Sequence, residues 1–413
     1  MQEGIYSPMA SKKYLRIVIE IVFVAAVIVG GLKQLENRRQ SFNLESDEPA
    51  WIFSGYYFNL YFLRFDFFHQ DWNDYEAFDQ PPLAKYVIGG AIYLRGYKID
   101  SLEPKRFWNN TPIDKLPIYF GLISSKIPSP GIVIPSTRSV IFLFALSSLL
   151  LIYASCRILY GSLSAFVSTA LIISNPIFNY YSSRILADPI LLFFFSLFIL
   201  LCALYWKSRN NIYVIFAFAV SSLSFLTKLN GILLVPILII TFLIGNKFSL
   251  SGKSLQVMII GFVVFVFICL LLNPVFLNTG IGAIWKMVEF RLLAFRTFQE
   301  TFKGVALLSV GQRFIVSAKI IFFKSCLFYP LVKVPVELIM FVAGIYCMIR
   351  RKDLFLTAIL VFLVIIPISL LPYTVPRYYY WILPFIHIVA GQSPNLLEEI
   401  WTRRIRVFNG KLY

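Results

Sequence analysis

A set of ionisable residues in this sequence stands where apolar segments begin or end: Asp47 and Glu48, Lys85, Arg138, Arg184 and Asp188, Lys228, and Arg377. Ionisable groups at membrane depth are costly and usually line a cavity. Arg and Lys offer the charge-assisted hydrogen bonds that a phosphate needs. A carboxylate beside them can take a proton from a hydroxyl. Cations and carboxylates gathered from distant sequence therefore suit a phosphate attached to a lipid.

Each residue also has a plainer reading. Asp47-Glu48-Pro49 is a sequence that opens a helix, since acids are favoured in a first turn. Arg184 and Asp188 are four apart and could pair along one helix face. Pro81-Pro82 stops one helix and starts the next. Arg138, Lys228 and Arg377 could extend their charges to headgroups without holding substrate. Glu20, inside the first apolar run, reads as a helix-packing residue, and His69 and His387 as lone structural histidines.

The elements that must position these residues follow from composition. Of 413 residues, 58% are hydrophobic and 14% charged, with 41 Phe and 23 Tyr, and mean hydropathy is +0.74. Soluble domains carry about 25% charged residues, so a soluble enzyme is excluded and an all-α polytopic membrane protein is implied. Five scattered cysteines suggest neither a disulfide framework nor a zinc cluster. Apolar runs near 17–32, 138–156, 163–180, 189–206, 211–227, 230–246, 255–274, 331–349, 354–372 and 379–393 predict about ten spans. The first reads as a retained helix rather than a cleaved signal.

The net charge of +17 is explained largely by topology. Lys12, Lys13 and Arg16, then Arg157, Lys207 and Arg209, Lys247 and Lys253, Arg350 to Lys352, and Arg403, Arg404 and Arg406 fall on alternate ends of successive spans. Both termini are therefore expected to be cytoplasmic. Two long polar segments, about 33–137 and 275–330, fall on the outer face with all the candidate site residues. Trp51, Tyr56, Tyr57, Tyr61, Arg64, Phe67, Phe68 and Trp72 predict short interfacial helices in the first. Trp285, Val288, Leu292 and Phe295, opposite Lys286, Arg291 and Arg296, predict a helix along the membrane surface in the second. Residues 1–393 are read as one transmembrane domain and 394–413 as a basic cytoplasmic tail. The Asn109-Asn110-Thr111 sequon precedes Pro112 and is counted as chance.

These residues resemble, in order, the GT-C superfamily of membrane glycosyltransferases that use a polyprenyl-phosphate sugar. Asp47-Glu48 resembles the acidic pair opening the first outer loop of the protein O-mannosyltransferases and the lipid A aminoarabinose transferases. Phe78-Asp79-Gln80-Pro81-Pro82-Leu83-Ala84-Lys85 is similar to their D-x-PPL-x-K element, with Gln80 where His is usual. Ser183-Arg184 to Asp188-Pro189, Leu226-Thr227-Lys228-Leu229-Asn230-Gly231, and Pro376-Arg377-Tyr378 complete the set. The match spans roughly residues 15 to 390 and is fuller in the first half. The segment between the seventh and eighth spans is too short for the sugar-binding insert of eukaryotic protein mannosyltransferases.

The resemblance implies a GT-C fold with a long first outer loop, and a hexosyltransferase acting on a mannose-like or related sugar. The donor would be a polyprenyl-phosphate sugar and the acceptor a hydroxyl on protein, lipid or glycan. It implies Asp47 as base, with Glu48 and Asp188 orienting acceptor or cations, and Lys85, Arg138, Arg184, Lys228 and Arg377 holding the phosphate. Transfer by one displacement would invert the anomeric carbon. The sequence holds neither a Gly-rich phosphate loop nor a nucleotide-metal motif; no cofactor is called for, and a divalent metal near Asp47 and Asp188 stays open. A prokaryotic plasma membrane with the site on its outer face, and no nucleic-acid partner, are expected. The alternative is a transporter or flippase for a lipid-linked solute, although such proteins place their charges at the bilayer midplane on broken helices.

Overall fold

A chain that crosses lipid must satisfy its backbone polar groups internally, which a helix does within one segment. The computed structural model describes residues 18–31, 33, 44–45, 47–102, 127, 129–249, 251–280, 282–301, 306–307, 309–324, 334–371 and 374–396. Among the described residues the ordered elements are helical. Lys12, Lys13, Arg16, the Asn109 sequon, Cys326 and Arg403, Arg404 and Arg406 lie outside them.

The apolar helices are α1 (Val18–Gly31), α2 (Pro130–Tyr160), α3 (Ser162–Ser174), α4 (Ala187–Ser208), α5 (Ile212–Thr227), α6 (Leu229–Gly245), α7 (Gly252–Leu272) and, further on, α8 (Val336–Arg351), α9 (Leu354–Leu370) and α10 (Leu383–Ala390). Each expected run overlaps one of these helices. Among the described residues α2, α4 and α7 are long and apolar enough to cross a membrane by length and composition, and the others are shorter. The predicted third span ends early for a local reason. Asn175 caps a new helix, Pro176–Tyr181, by accepting from the Ile177 and Phe178 amides, and Pro176 takes its first turn.

Helix α4 is the buried centre, packed between α2 and α5, whereas α7 turns Phe262, Val263 and Phe267 outward. Buried residues from Val27 to Val389 form one cluster. Chain direction puts Asp188, Lys228 and the start of α2 at one end of the bundle. Arg157, Lys207, Arg209, Lys247, Arg350 and Arg351 lie at the other. There Glu20 accepts from Arg157 Nε at 2.8 Å and from the Ser162 hydroxyl at 2.6 Å, which ties α1 to the end of α2 and the start of α3.

The segment after α1 folds as short helices at the site end: Glu48–Ser54, Gln70–Asn73, Tyr75–Asp79 and Leu83–Tyr93 among them. Tyr61 donates to the Leu271 carbonyl at 2.6 Å and Tyr86 to the Leu272 carbonyl at 3.1 Å, so two hydroxyls fix this layer to the end of α7. A Cβ on Gly89 would fall 2.3 Å from the Gly55 carbonyl oxygen, and glycine there lets Leu83–Tyr93 lie against Gly55. The second long segment forms Gly282–Thr301 and Val310–Lys319, the latter begun by a Ser309/Gln312 capping box. Trp285 and Leu292 are exposed.

Candidate functional site

The acidic pair splits into two environments. Asp47 is the N-cap of Glu48–Ser54, with Glu48 in the first turn followed by Pro49. The Asp47 side chain makes no capping hydrogen bond, so of the plain reading only the first-turn place of Glu48 is seen. A single residue step turns the two carboxylates in different directions. Glu48 is fully buried; its oxygens accept from Arg138 Nε at 2.9 Å, Arg138 Nη2 at 2.6 Å and the Ile185 amide at 2.9 Å, and Arg184 Nη1 stands 3.5 Å away. Arg138 is itself 1% exposed. Such a cluster is tolerated inside a protein because the fork of the guanidinium and the amide satisfy the carboxylate together.

Asp47 keeps 39% of its side chain exposed and accepts a hydrogen bond from Arg377 Nη1. Arg377 Nη2 reaches the Tyr378 hydroxyl at 3.3 Å. Beside them Lys228 Nζ donates to Asp188 Oδ1 at 2.8 Å. Arg184 and Asp188, four apart, therefore turn to different partners, Glu48 and Lys228. Lys228 sits where α5 ends and a tight turn, Leu229–Leu233, begins. Burial holds its ammonium below the ordinary lysine value, with Asp188 opposing that shift. Gly231 is needed for this turn, because a Cβ there would lie 2.2 Å from the Ser224 carbonyl carbon.

Lys85 is 2% exposed, and its ammonium donates to the carbonyls of Glu76 and Gln80, the second at 2.6 Å, above the Tyr57 ring at 4.9 Å. Its helix, eleven residues long, is too short to span. Burial lowers Lys85 to about 7, with Arg291 adding to the effect and Asp79 and Glu76 opposing it. The two prolines do what the plain reading expects: Tyr75–Asp79 ends before them and Leu83–Tyr93 starts after.

Two cavities flank the turn Pro376–Tyr379. One of about 370 Å³ is lined by Lys228, Asn230, Gln80, Arg291 and Tyr378, with apolar walls from Leu233, Leu370 and Leu371. The other, about 560 Å³, is lined by Pro376, Thr374, Tyr180, Tyr181, Lys319 and Lys324. Both lie in the usual size range of ligand sites. Pro376 faces one cavity and Tyr378 the other, and Arg377 between them holds Asp47. Sequence reading did not single out Arg291. It donates to the Asp79 carbonyl at 2.9 Å and pairs with the Asp79 carboxylate at 2.9 Å. In sequence it is one cation on the polar face of a surface helix, and such a face reads alike whether it meets water or a cavity.

The carboxylates Asp47, Glu48 and Asp188 each face a cation. Among the described residues no group of three His, Cys, Asp or Glu side chains could hold a metal ion. These residues do not fit a resident metal, and none of the chemistry below runs through one.

Residues 130–271 match the family model described as dolichyl-phosphate-mannose-protein mannosyltransferase, a stretch holding Arg138, Arg184, Asp188 and Lys228. A comparison with curated proteins finds no match. Among solved structures, ArnT from Cupriavidus metallidurans in the apo state superposes with a TM-score of 0.56 at 15% identity, over 93% of this chain and 60% of that one. The same protein bound to undecaprenyl phosphate gives 0.55 at 15% identity, over 90% and 59%. The Archaeoglobus fulgidus oligosaccharyltransferase in complex with zinc and sulfate gives 0.50 at 14% identity, over 92% and 50%. This chain thus spans about 60% of the length of ArnT. It has the GT-C fold of the membrane glycosyltransferases and resembles, within that group, the protein mannosyltransferases and the aminoarabinose transferases.

Proposed function

We propose that the chain is an integral membrane glycosyltransferase that moves a sugar, a hexose of mannose-like type, from a polyprenyl-phosphate carrier to a hydroxyl acceptor on the outer face of a prokaryotic plasma membrane. The observation that carries this reading is the Arg377–Asp47 pair, Arg377 being flanked by Pro376, which lines one cavity, and Tyr378, which lines the other. A displacement needs the acceptor hydroxyl against the anomeric carbon, opposite the leaving phosphate, with a base beside the hydroxyl. The smaller cavity, lined by Lys228 and Arg291 together with Leu229, Leu233, Leu370 and Leu371, suits a phosphate with an isoprenoid tail.

In the reaction the acceptor hydroxyl gives its proton to the Asp47 carboxylate as its oxygen bonds to the anomeric carbon. The bond from that carbon to the phosphate oxygen breaks, and its electron pair leaves with the polyprenyl phosphate. One such displacement inverts the anomeric centre. Lys228, Arg291 and Arg377 stabilise the charge gained by the leaving phosphate, and Asp188 orients Lys228. Glu48, with Arg138 and Arg184, fixes the helix that carries Asp47 against the start of α4. Lys85, spent on two backbone carbonyls, shapes the Asp79–Pro82 turn that brings Gln80 to the cavity.

The test is transfer from a radiolabelled polyprenyl-phosphate hexose in membranes containing the chain, beside an Asp47→Asn version at equal abundance. Acceptor-dependent transfer should be seen with the native chain and fall about 10²- to 10⁴-fold with the variant, the range of a general base. Undiminished transfer by Asp47→Asn moves the base elsewhere. Lack of transfer together with movement of intact lipid-linked sugar across the membrane replaces the enzyme by a transporter.

A further inference from the structure

Arg377 reaches Asp47 from a single 3₁₀ turn, Pro376–Tyr379. With three residues per turn, Arg377, Tyr378 and Tyr379 point in directions a third of a circle apart. Rotating one of them about the axis of the turn therefore rotates the others. The Arg377 side chain is held at its tip: Nη1 donates to Asp47, Nη2 reaches the Tyr378 hydroxyl at 3.3 Å, and the guanidinium lies over the Tyr378 ring at 5.1 Å. Its buried Nε finds no hydrogen-bond partner among the described residues. Tyr378 rides on the same turn, so its contacts with Arg377 leave the rotation of that turn open. Tyr379 is fully buried, and its hydroxyl lies 3.1 Å from that of Ser317, also buried, on the helix Val310–Lys319. One helical turn before Ser317, on the same face, Arg313 donates Nε to the Leu307 carbonyl at 3.3 Å and Nη1 to the Ser369 carbonyl, which ties this helix to the end of α9. Beyond the turn, Tyr380 stacks on Phe178 at 5.3 Å and Trp381 meets Phe195 edge-on at 5.5 Å. Ring contacts tolerate sliding, whereas a hydroxyl pair is directional.

We propose that Ser317 and Tyr379 are positioning residues, their buried hydroxyl pair setting the rotation of Pro376–Tyr379 and through it holding Arg377 on Asp47. The helix Val310–Lys319 thereby takes part in the site at second hand, anchored to α9 by Arg313 and to the turn by Ser317. The effect on rate rests on the glycosyltransferase reading; the placement of Arg377 is a property of the fold and stands apart from it. A hydroxyl pair that served only to satisfy two buried polar groups would change stability when broken and leave Asp47 as it was.

The test uses the full chain in reconstituted membranes and two readouts. The first is the rate at which a water-soluble carbodiimide and an amine label Asp47 at one fixed pH, followed by peptide mass spectrometry. Carbodiimide attacks the protonated carboxyl, and losing a cation at hydrogen-bond distance makes a carboxylate about tenfold or more easier to protonate. Glu48, buried beside it, is the internal control for loosening of the fold. Arg377→Gln should raise Asp47 labelling about tenfold. Tyr379→Phe and Ser317→Ala should each raise it about threefold or more, with Glu48 still unlabelled. The two together should do no more than one alone, and neither should add to Arg377→Gln, since all act through one contact. The second readout is transfer from a radiolabelled polyprenyl-phosphate hexose, where Tyr379→Phe and Ser317→Ala should lower kcat about tenfold and leave the donor KM within about twofold. Native labelling of Asp47 in Tyr379→Phe and Ser317→Ala overturns the proposal. So does labelling of Asp47 and Glu48 in parallel, a further rise on the Arg377→Gln background, or a loss confined to KM. Absence of transfer by the native chain, with the labelling pattern intact, overturns the glycosyltransferase reading instead and leaves the placement of Arg377 by Ser317 and Tyr379 standing.

Discussion

Arg377 closes over Asp47 across 330 residues of chain, donating Nη1 to the carboxylate while Nη2 reaches the hydroxyl of the neighbouring Tyr378. This pairing puts the first polar segment and the start of the last span in one place, and it orients the most accessible carboxylate of the acidic pair. The guanidinium reaches both with a planar fork of fixed geometry, which a single ammonium on a flexible stem does not reproduce.

Arg377→Lys is therefore expected to slow transfer about 10²-fold, with the KM for donor changing much less. Steady-state kinetics in reconstituted membranes decide this. A loss confined to KM would mean that Arg377 only binds the donor.

Glu48 and Arg138 behave differently because neither meets solvent. Removing one partner of a buried pair leaves an uncompensated charge and costs about 3–5 kcal/mol. Glu48→Ala should thus lower the thermal midpoint and the yield of folded protein in detergent far more than Asp47→Asn, which alters a partly exposed side chain. Equal thermal midpoints for the two variants would show that Glu48 acts in chemistry rather than in holding the fold.

Lys85 makes stability depend on pH in a definite direction. Its folded value lies near 7, below the ordinary 10.5, because burial penalises the ammonium. Between those two values the unfolded chain binds the proton more readily than the folded one, so the contribution of this site to stability rises with pH. The thermal midpoint should climb from pH 7 toward pH 10 more steeply in the native chain than in Lys85→Met. Parallel curves over that window would mean that Lys85 stays charged on its two carbonyls.

Gly231 offers a purely steric check. A methyl group would meet Ser224 backbone at 2.2 Å, with no flexible side chain to give way, and overpacking of this kind costs about 1–3 kcal/mol. Gly231→Ala should reduce stability by that amount, and should also weaken donor binding by displacing Lys228. An unchanged donor KM would separate the turn from the cavity.

Hydropathy is a local property of the chain, and what depends on it was legible from the residues alone. The helices stand at the expected runs, the cationic ends alternate, and Asp47, Asp188, Lys228 and Arg377 come together at one end. The helix Gly282–Thr301 was equally legible as a helix, since its period repeats within a few turns. Only the tertiary structure decided who pairs with whom. Glu48 takes Arg138 from 90 residues away and Arg184 from 136, Lys85 turns to the backbone of its own turn, and Arg291 crosses 212 residues to Asp79. A charge at a span end announces that it needs a partner or a cavity. Which of these it receives depends on how helices far apart in sequence pack, and nothing in the spacing of one segment encodes the position of another.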